Sequence, residues 1–192
     1  MKILQHIVFM ANNKEDDIKE RLHDLSTRRK AFEEVVREFS EQLYWQIRRM
    51  VGSHDDANDI LQNTFVKAWT NIDYFRGEAK LSTWLYRIAL NECLAFLNRQ
   101  RAQENISIDE ADSNFINMLE GDPYFDGDET QLMFQKAIRT LPEKQRIIFN
   151  LRYFQEMKYE DISEIVGTTV GALKASYHHA VKKIEEFFKQ ND

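Results

Sequence analysis

The chain has 192 residues, 43% of them hydrophobic, with only six Gly and two Pro, so it has room for one large domain or two small ones that each close a core. Few breakers and little Val-Ile-Thr alternation, against plentiful Leu, Glu, Lys, Arg, Gln and Ala, exclude a sheet protein and predict an all-α fold. The formal charge of −6 is uneven: residues 1–100 carry 15 basic and 15 acidic side chains, 101–130 carry 1 and 9, and 131–192 carry 10 and 8, so phosphate repels neither flanking module as a whole, yet neither is basic enough for tight DNA binding alone.

The opening MKILQHIVFM is an apolar run broken by Gln5 and His6, followed by charge and lacking a small-residue cleavage pattern. It makes a poor signal peptide. No stretch is long enough to span a bilayer, so direct membrane insertion is not expected. Residues 1–27 read as a loosely attached N-terminal extension in which Ile18, Leu22 and Leu25 mark one short helix, and Met10 is a second candidate start.

Residues 28–100 read as one helical module. From Arg28 to Val51, Phe32, Val35, Val36, Phe39, Leu43, Ile47 and Met50 keep the three-and-four spacing of a buried helical stripe. Gly52-Ser53 ends that helix, and Ser53 or Asp55 caps the next, whose inward face is Ile60, Leu61, Thr64, Phe65, Ala68, Trp69 and Ile72. Its polar edge of Asp59, Gln62, Asn63 and Lys67, flanked by Phe65, reads equally as solvated surface or as a docking strip for another protein.

Residues 71–80 read as a loop, after which Leu85, Ile88, Ala89, Cys93, Phe96 and Leu97 mark a third long helix. Thr83, Arg87 and Asn91 recur on it at four-residue spacing, with Trp84 and Tyr86 beside them and Phe75, Arg76 and Lys80 just upstream. Cations, an amide and flat rings on one face suit an unpaired base, because aromatic faces stack on any base and Asn offers a donor and an acceptor to its edge. The competing reading is a bundle whose aromatics are core; it is the better one for Phe65, Trp69 and Phe96.

Cys93, the only cysteine, excludes an intramolecular disulfide and a Cys-based metal cluster and fits a reducing cytoplasm. It falls on the apolar stripe, with no base or ligand partner visible, which argues against an enzyme built on it. Nothing in the sequence implies a cofactor.

Residues 101–130 combine acid with Gly121, Pro123 and Gly127 and show no sustained periodicity, reading as an acidic tether of limited order. Residues 131–192 form the second module. Leu132, Ala137, Ile138 and Leu141 resume a helix, and Pro142 starts the next, since Pro suits a first helical turn.

Within that module Tyr159 to Lys183 reads as a helix-turn-helix. Ile162, Ile165 and Val166 supply one inward face, Gly167 the left-handed turn, and Thr168 or Thr169 the cap of a helix pinned by Val170, Leu173, Tyr177, Val181, Ile184 and Phe188. The remaining face, Thr169, Gly171, Ala172, Lys174, Ala175, Ser176, His178, His179 and Lys182, begins with small residues that permit close groove approach. An ordinary helix pair around a Gly turn has the same pattern. His178 and His179 point about 100° apart around the axis, so they do not chelate one metal together.

With these residues in view, the chain closely resembles bacterial sigma factors of the extracytoplasmic-function group. The resemblance is carried by DDANDILQNTFVKAW (55–69), FRGEAKLSTWLYRIALN (75–91), LPEKQRIIFNLRYF (141–154) and YEDISEIVGTTVGALK (159–174). It implies a non-catalytic initiation subunit whose region 2, residues 28–100, grips the clamp helices of the polymerase β′ subunit through Asp59, Gln62, Asn63 and Phe65. The same module would open the minus-ten element, with Asn91 holding a flipped base. Region 4, residues 131–192, would read the minus-thirty-five element through Lys174, Ala175, His178 and His179 while its body meets the β flap. The resemblance also implies an anti-sigma partner, often membrane-bound. Ser176 and His179 stand where the family often has Arg, and Asn63 where an acid is common, which weakens fixed-charge contacts. The alternative is a stand-alone regulator whose helix-turn-helix binds an operator and whose first bundle dimerises.

Overall fold

The computed structural model describes residues 17–77, 79–104, 113–117 and 128–191, and among these residues there is no strand. The helices in chain order are α1 (Arg28–Val51), α2 (His54–Thr70), a 3-10 turn (Ile72–Tyr74), α3 (Leu81–Glu104), α4 (Glu129–Arg139), α5 (Glu143–Tyr153), α6 (Tyr159–Val166) and α7 (Val170–Asn191). Among the described residues, no helix is long and apolar enough to cross a membrane.

The boundaries follow from local chemistry. Gly52, at φ 85°, closes α1 by donating its N–H to the Arg48 carbonyl. Ser53 caps α2, its hydroxyl accepting from the Asp56 N–H at 3.2 Å, with Asp55 and Asp56 in the positive first turn. Asp128 caps α4 through the Gln131 N–H at 2.8 Å, and Pro142 precedes α5.

In the first module Val35, Leu43, Ile47, Ala57, Ala68, Leu85, Ala89 and Cys93 are fully buried between α1, α2 and α3. Each large aliphatic side chain stabilises the bundle by about 1.5–3 kcal/mol. The described part of the N-terminal extension, residues 17–27, differs from its loose expectation. Residues 17–23 are helical, Ile18 and Leu22 enter the core, and Arg21 clamps Glu34 through two bonds of 3.0 and 2.5 Å. Two apolar residues four apart form one stripe, enough for a short helix to dock. Leu25, expected on that stripe, is 81% exposed because the helix has ended before it.

In the second module Ala137, Ile138, Leu141, Phe149, Ala180 and Ile184 form a smaller core. Phe149 is stacked between Tyr153 and Tyr177, at centroid distances of 5.1 and 5.7 Å. The modules are not separate, however. Ile147, Ile148, Leu151, Ile162, Ile165 and Leu173 belong to the same buried cluster as the α1–α3 core, so one apolar body runs through both. Polar contacts surround this joint. Arg139 donates to the carbonyls of Arg49 and Met50 at 2.9 and 3.2 Å, Arg101 donates to Glu143 at 3.1 Å, and the Arg49 guanidinium lies 4.3 Å over the Phe154 ring.

Of the acidic joint, the described parts are the end of α3, a helical turn at 113–117 and the cap and start of α4 at 128–130. The expectation of limited order at 105–112 and 118–127 lies outside the described residues, as do Met10 and Glu78.

Candidate nucleic-acid interface

Along α2, Asp59, Gln62 and Asn63 are exposed as one polar edge. Phe65, grouped with them as a partner contact, turns inward at 9% exposure and meets Phe32 edge-on at 6.3 Å. It shares the inward stripe with Thr64 and Ala68, both fully buried. The apolar residue on the open side is its neighbour Val66, 56% exposed. Trp69, expected in the core, is 41% exposed and rests one edge on Phe32 at 5.1 Å.

The residues on and before α3 divide. Trp84, Arg87 and Asn91 share a cavity of about 410 Å³ with Lys67, Asn71, Tyr74, Ile88 and Glu92, within the size range of small-ligand sites. Arg87 and Asn91 are exposed. Lys67 pairs with Glu92 across the cavity wall at 2.5 Å, and the Asn71 amide donates to the Lys67 carbonyl at 2.8 Å. The sequence reading missed Asn71, Tyr74 and Glu92. Lys67 on α2 and Asn71, which caps its end, lie four apart, a spacing that marks one face.

The other residues of this group sit elsewhere. Phe75 is 3% exposed and packs its ring on Trp84 at 5.0 Å, so it props the cavity wall instead of facing outward. Thr83 and Tyr86, each 3% exposed, are buried. The Tyr86 hydroxyl donates to Gln155 of the second module at 2.9 Å. Burial pushes its phenol up to about 12, with the nearby Arg49 charge opposing the shift. Lys80 donates to both carboxylate oxygens of Asp161 on α6, at 3.0 and 2.8 Å. Arg76 is exposed. A four-residue spacing on a long helix therefore placed Thr83 and Arg87 on faces with different fates, because a second module covers the start of α3.

The second module has the local geometry its sequence predicts. Gly167 sits at φ 71° in the left-handed region between α6 and α7. The Thr169 hydroxyl accepts from the Ala172 N–H at 3.3 Å and so caps α7, while the Thr168 carbonyl accepts from the Ser163 hydroxyl at 2.5 Å and ties turn to helix. Leu173, Ala180 and Ile184 bury one stripe of α7. Gly171, Ala172, Lys174, Ala175, His178, His179 and Lys182 are exposed on the opposite side, with Ser176 half-buried at its margin. Lys174 extends 5.7 Å over the Tyr159 ring. This face is small-sided at its start and cationic further on, a form that fits a DNA major groove.

Cys93 is fully buried, and burial pushes its thiol up to about 12, with Glu92 adding to the shift. Such a thiol carries almost no thiolate near neutral pH.

Comparison with known proteins finds matches to both parts of the chain. Residues 35–103 match the family model for sigma-70 region 2, and residues 131–184 match that for sigma-70 region 4. The ECF RNA polymerase sigma factor SigW of Bacillus subtilis is 31% identical over 156 residues, covering 77% of this chain and 83% of that protein. The ECF RNA polymerase sigma-E factor of Haemophilus influenzae is 30% identical over 167 residues, covering 82% and 87%. Among solved structures, the sigma factor RpoE in complex with the anti-sigma factor NepR, from Bartonella quintana, superposes with a TM-score of 0.68 at 26% identity, covering 83% of this chain and 98% of that one. CnrH in complex with the cytosolic domain of CnrY shares the fold at TM-score 0.70 and 19% identity, covering 93% and 99%. The chain belongs to the extracytoplasmic-function group of sigma-70 family RNA polymerase sigma factors.

Proposed function

We propose that this cytoplasmic, non-catalytic chain directs core RNA polymerase to its promoters through two separate DNA-facing sites, and that the residues divide between them as follows. In residues 28–100, Asp59, Gln62 and Asn63 on the open edge of α2 meet the β′ clamp helices. The cavity behind Trp84, Arg87 and Asn91 takes one unstacked base of the minus-ten element. In residues 131–192, Lys174, Ala175, His178 and His179 enter the major groove of the minus-thirty-five element, Thr168, Thr169, Gly171, Ser176 and Lys182 flank them, and the body of the module meets the β flap. An anti-sigma partner covers the polymerase-facing surfaces until released.

The observation that best supports this reading is the pair of surfaces on one chain: a ring-walled cavity with exposed Arg87 and Asn91, and a capped, small-sided helix face with Lys174 and Lys182. Each alone is a weak ligand. Polymerase would hold them at fixed spacing, so that the second contact forms at high effective concentration. Capturing one base offsets an unpairing cost of a few kcal/mol and leaves the strands open.

The test is run-off transcription with purified core polymerase on genomic fragments. The expected result is initiation at a restricted set of start sites only when the chain is present, with little specific mobility shift by the chain alone. Tight specific operator binding without polymerase, and no redirected initiation, would establish the stand-alone regulator instead.

A further inference from the structure

The described turn of the acidic joint, residues 113–117, carries one apolar residue that is buried, Phe115, at 5% exposure. Its ring does not belong to either module's core cluster. It lies against Gly52, the residue that closes α1, so closely that a Cβ there would stand 2.4 Å from the ring edge. Over its face the Arg139 guanidinium of α4 sits 3.2 Å from the ring centroid. The same guanidinium donates to the carbonyls of Arg49 and Met50 at the end of α1. One aromatic ring from the joint therefore packs against both a first-module glycine and a second-module arginine. Arg139 is itself 9% exposed.

This closure has a cost for promoter binding. With the modules together, Lys80 is spent on Asp161, and Thr83 and Tyr86 are covered, with Gln155 over the Tyr86 hydroxyl. Thr83 and Tyr86 at the start of α3 are then closed to a ligand. We propose that Phe115 is a latch: seated against both Gly52 and Arg139, it holds the chain in a closed form, and its release uncovers the start of α3 for the promoter. The closed form itself rests on the contacts above; only its consequence for transcription rests on the functional reading of the previous section.

The latch is tested in the full-length chain by energy transfer between dyes on Glu33→Cys of α1 and Glu186→Cys of α7, both exposed positions; the buried Cys93 is left in place. Phe115→Ala removes the ring, and Arg139→Met removes its cation and the two backbone bonds. Helix content by circular dichroism confirms that each variant folds. Each variant is expected to raise the open, low-transfer population about tenfold, the scale of one desolvated cation–π contact with its ring burial. Unchanged transfer in both variants overturns the latch. Run-off transcription at limiting factor is expected to rise several-fold for Phe115→Ala. If transfer falls while transcription stays level, the link to promoter binding is overturned. If the parent chain redirects no initiation at all, the promoter reading fails, and the transfer result still decides whether Phe115 holds the modules together.

Discussion

The two surfaces proposed to face DNA are built to the same plan, a helix with one buried stripe and one polar face, yet they stand in opposite states. The polar face of α7 is open along its length, from Gly171 to Lys182. The face of α3 is open only at its far end, at Arg87 and Asn91, while Thr83 and Tyr86 near its start lie under the second module. Both helices are ordered by the same apolar body, which runs from Val35 of α1 to Leu173 of α7. What differs is which side of each helix the neighbouring module meets. A helix can thus be fully formed while part of its polar face is covered by a neighbouring module.

The sharpest way to break this closed arrangement without altering DNA chemistry is pH. Tyr86 is held at about 12 by burial, above its ordinary value of 10. A raised value means that the native form favours the protonated phenol. Its contribution is present in full below pH 10 and is lost as pH rises through 12, about 2–3 kcal/mol in all. The stability difference between the native chain and Tyr86→Phe, from urea unfolding, is therefore expected to shrink between pH 8 and pH 11.5. A difference constant over that range would mean that the hydroxyl is open to water and that the second module does not cover α3.

The open face of α7 can be tested separately at Gly167. Its φ of 71° is unfavourable for residues with a Cβ, yet a Cβ added there would meet nothing within 4 Å. The cost of Gly167→Ala is therefore backbone strain alone, about 1–2 kcal/mol, and Gly167→Asn should cost less, because Asn tolerates the left-handed region. Thermal unfolding of the pair checks the order. Equal Tm values for Ala and Asn would show that the turn relaxes, leaving α7 free to pivot.

These contrasts also explain what could be read from the sequence. The helix-turn-helix was legible almost residue by residue, because its turn depends on local chemistry: Gly167 for the dihedral, Thr169 for the cap, apolar spacing for the buried stripe. The all-α class and the start of α2 at Ser53 were legible for the same reason. Burial set by distant partners was not. Thr83 lies on the same helical face as Arg87, but Gln42 of α1 and residues 154–158 and Asp161 of the second module surround it. Phe65 and Val66 are both apolar neighbours; which one is exposed depends on the angle at which α2 meets Phe32 of α1. The docking of residues 17–23 was hidden because two apolar residues in a charged stretch give no strong periodic signal. The cavity escaped for a similar reason, since Asn71 and Tyr74 come from a different element than Trp84 and Asn91.

The two sites should also separate by the step they serve. Asn91→Ala removes an exposed amide at the cavity and leaves the α2 edge and the recognition helix untouched. Open-complex formation, read by permanganate reactivity of unpaired thymines, is expected to fall about tenfold, on the scale of one base-edge contact. Polymerase binding by the same variant should stay within about twofold, since exposed substitutions away from a contact change little. Equal losses in both assays would remove the base-capture role from the cavity and assign Asn91 to the polymerase surface.

The smallest expected effect belongs to the pair that joins the two surfaces. Lys80 and Asp161 are 48% and 20% exposed at their side chains, so water screens most of their attraction and the pair contributes about 0.5 kcal/mol to closure. Asp161→Asn should therefore free Lys80 at little structural cost and strengthen promoter binding by the polymerase complex about twofold at low salt. The gain should fade as salt rises, because the released cation then competes with bulk ions for the same phosphate. Lys80→Ala should lower binding instead, and combining it with Asp161→Asn should abolish the gain. That dependence separates a cation held in reserve from a surface ion pair with no role in DNA contact: if Asp161→Asn helps equally whether or not Lys80 is present, the benefit comes from a looser joint between the modules, and Lys80 is no part of the promoter site.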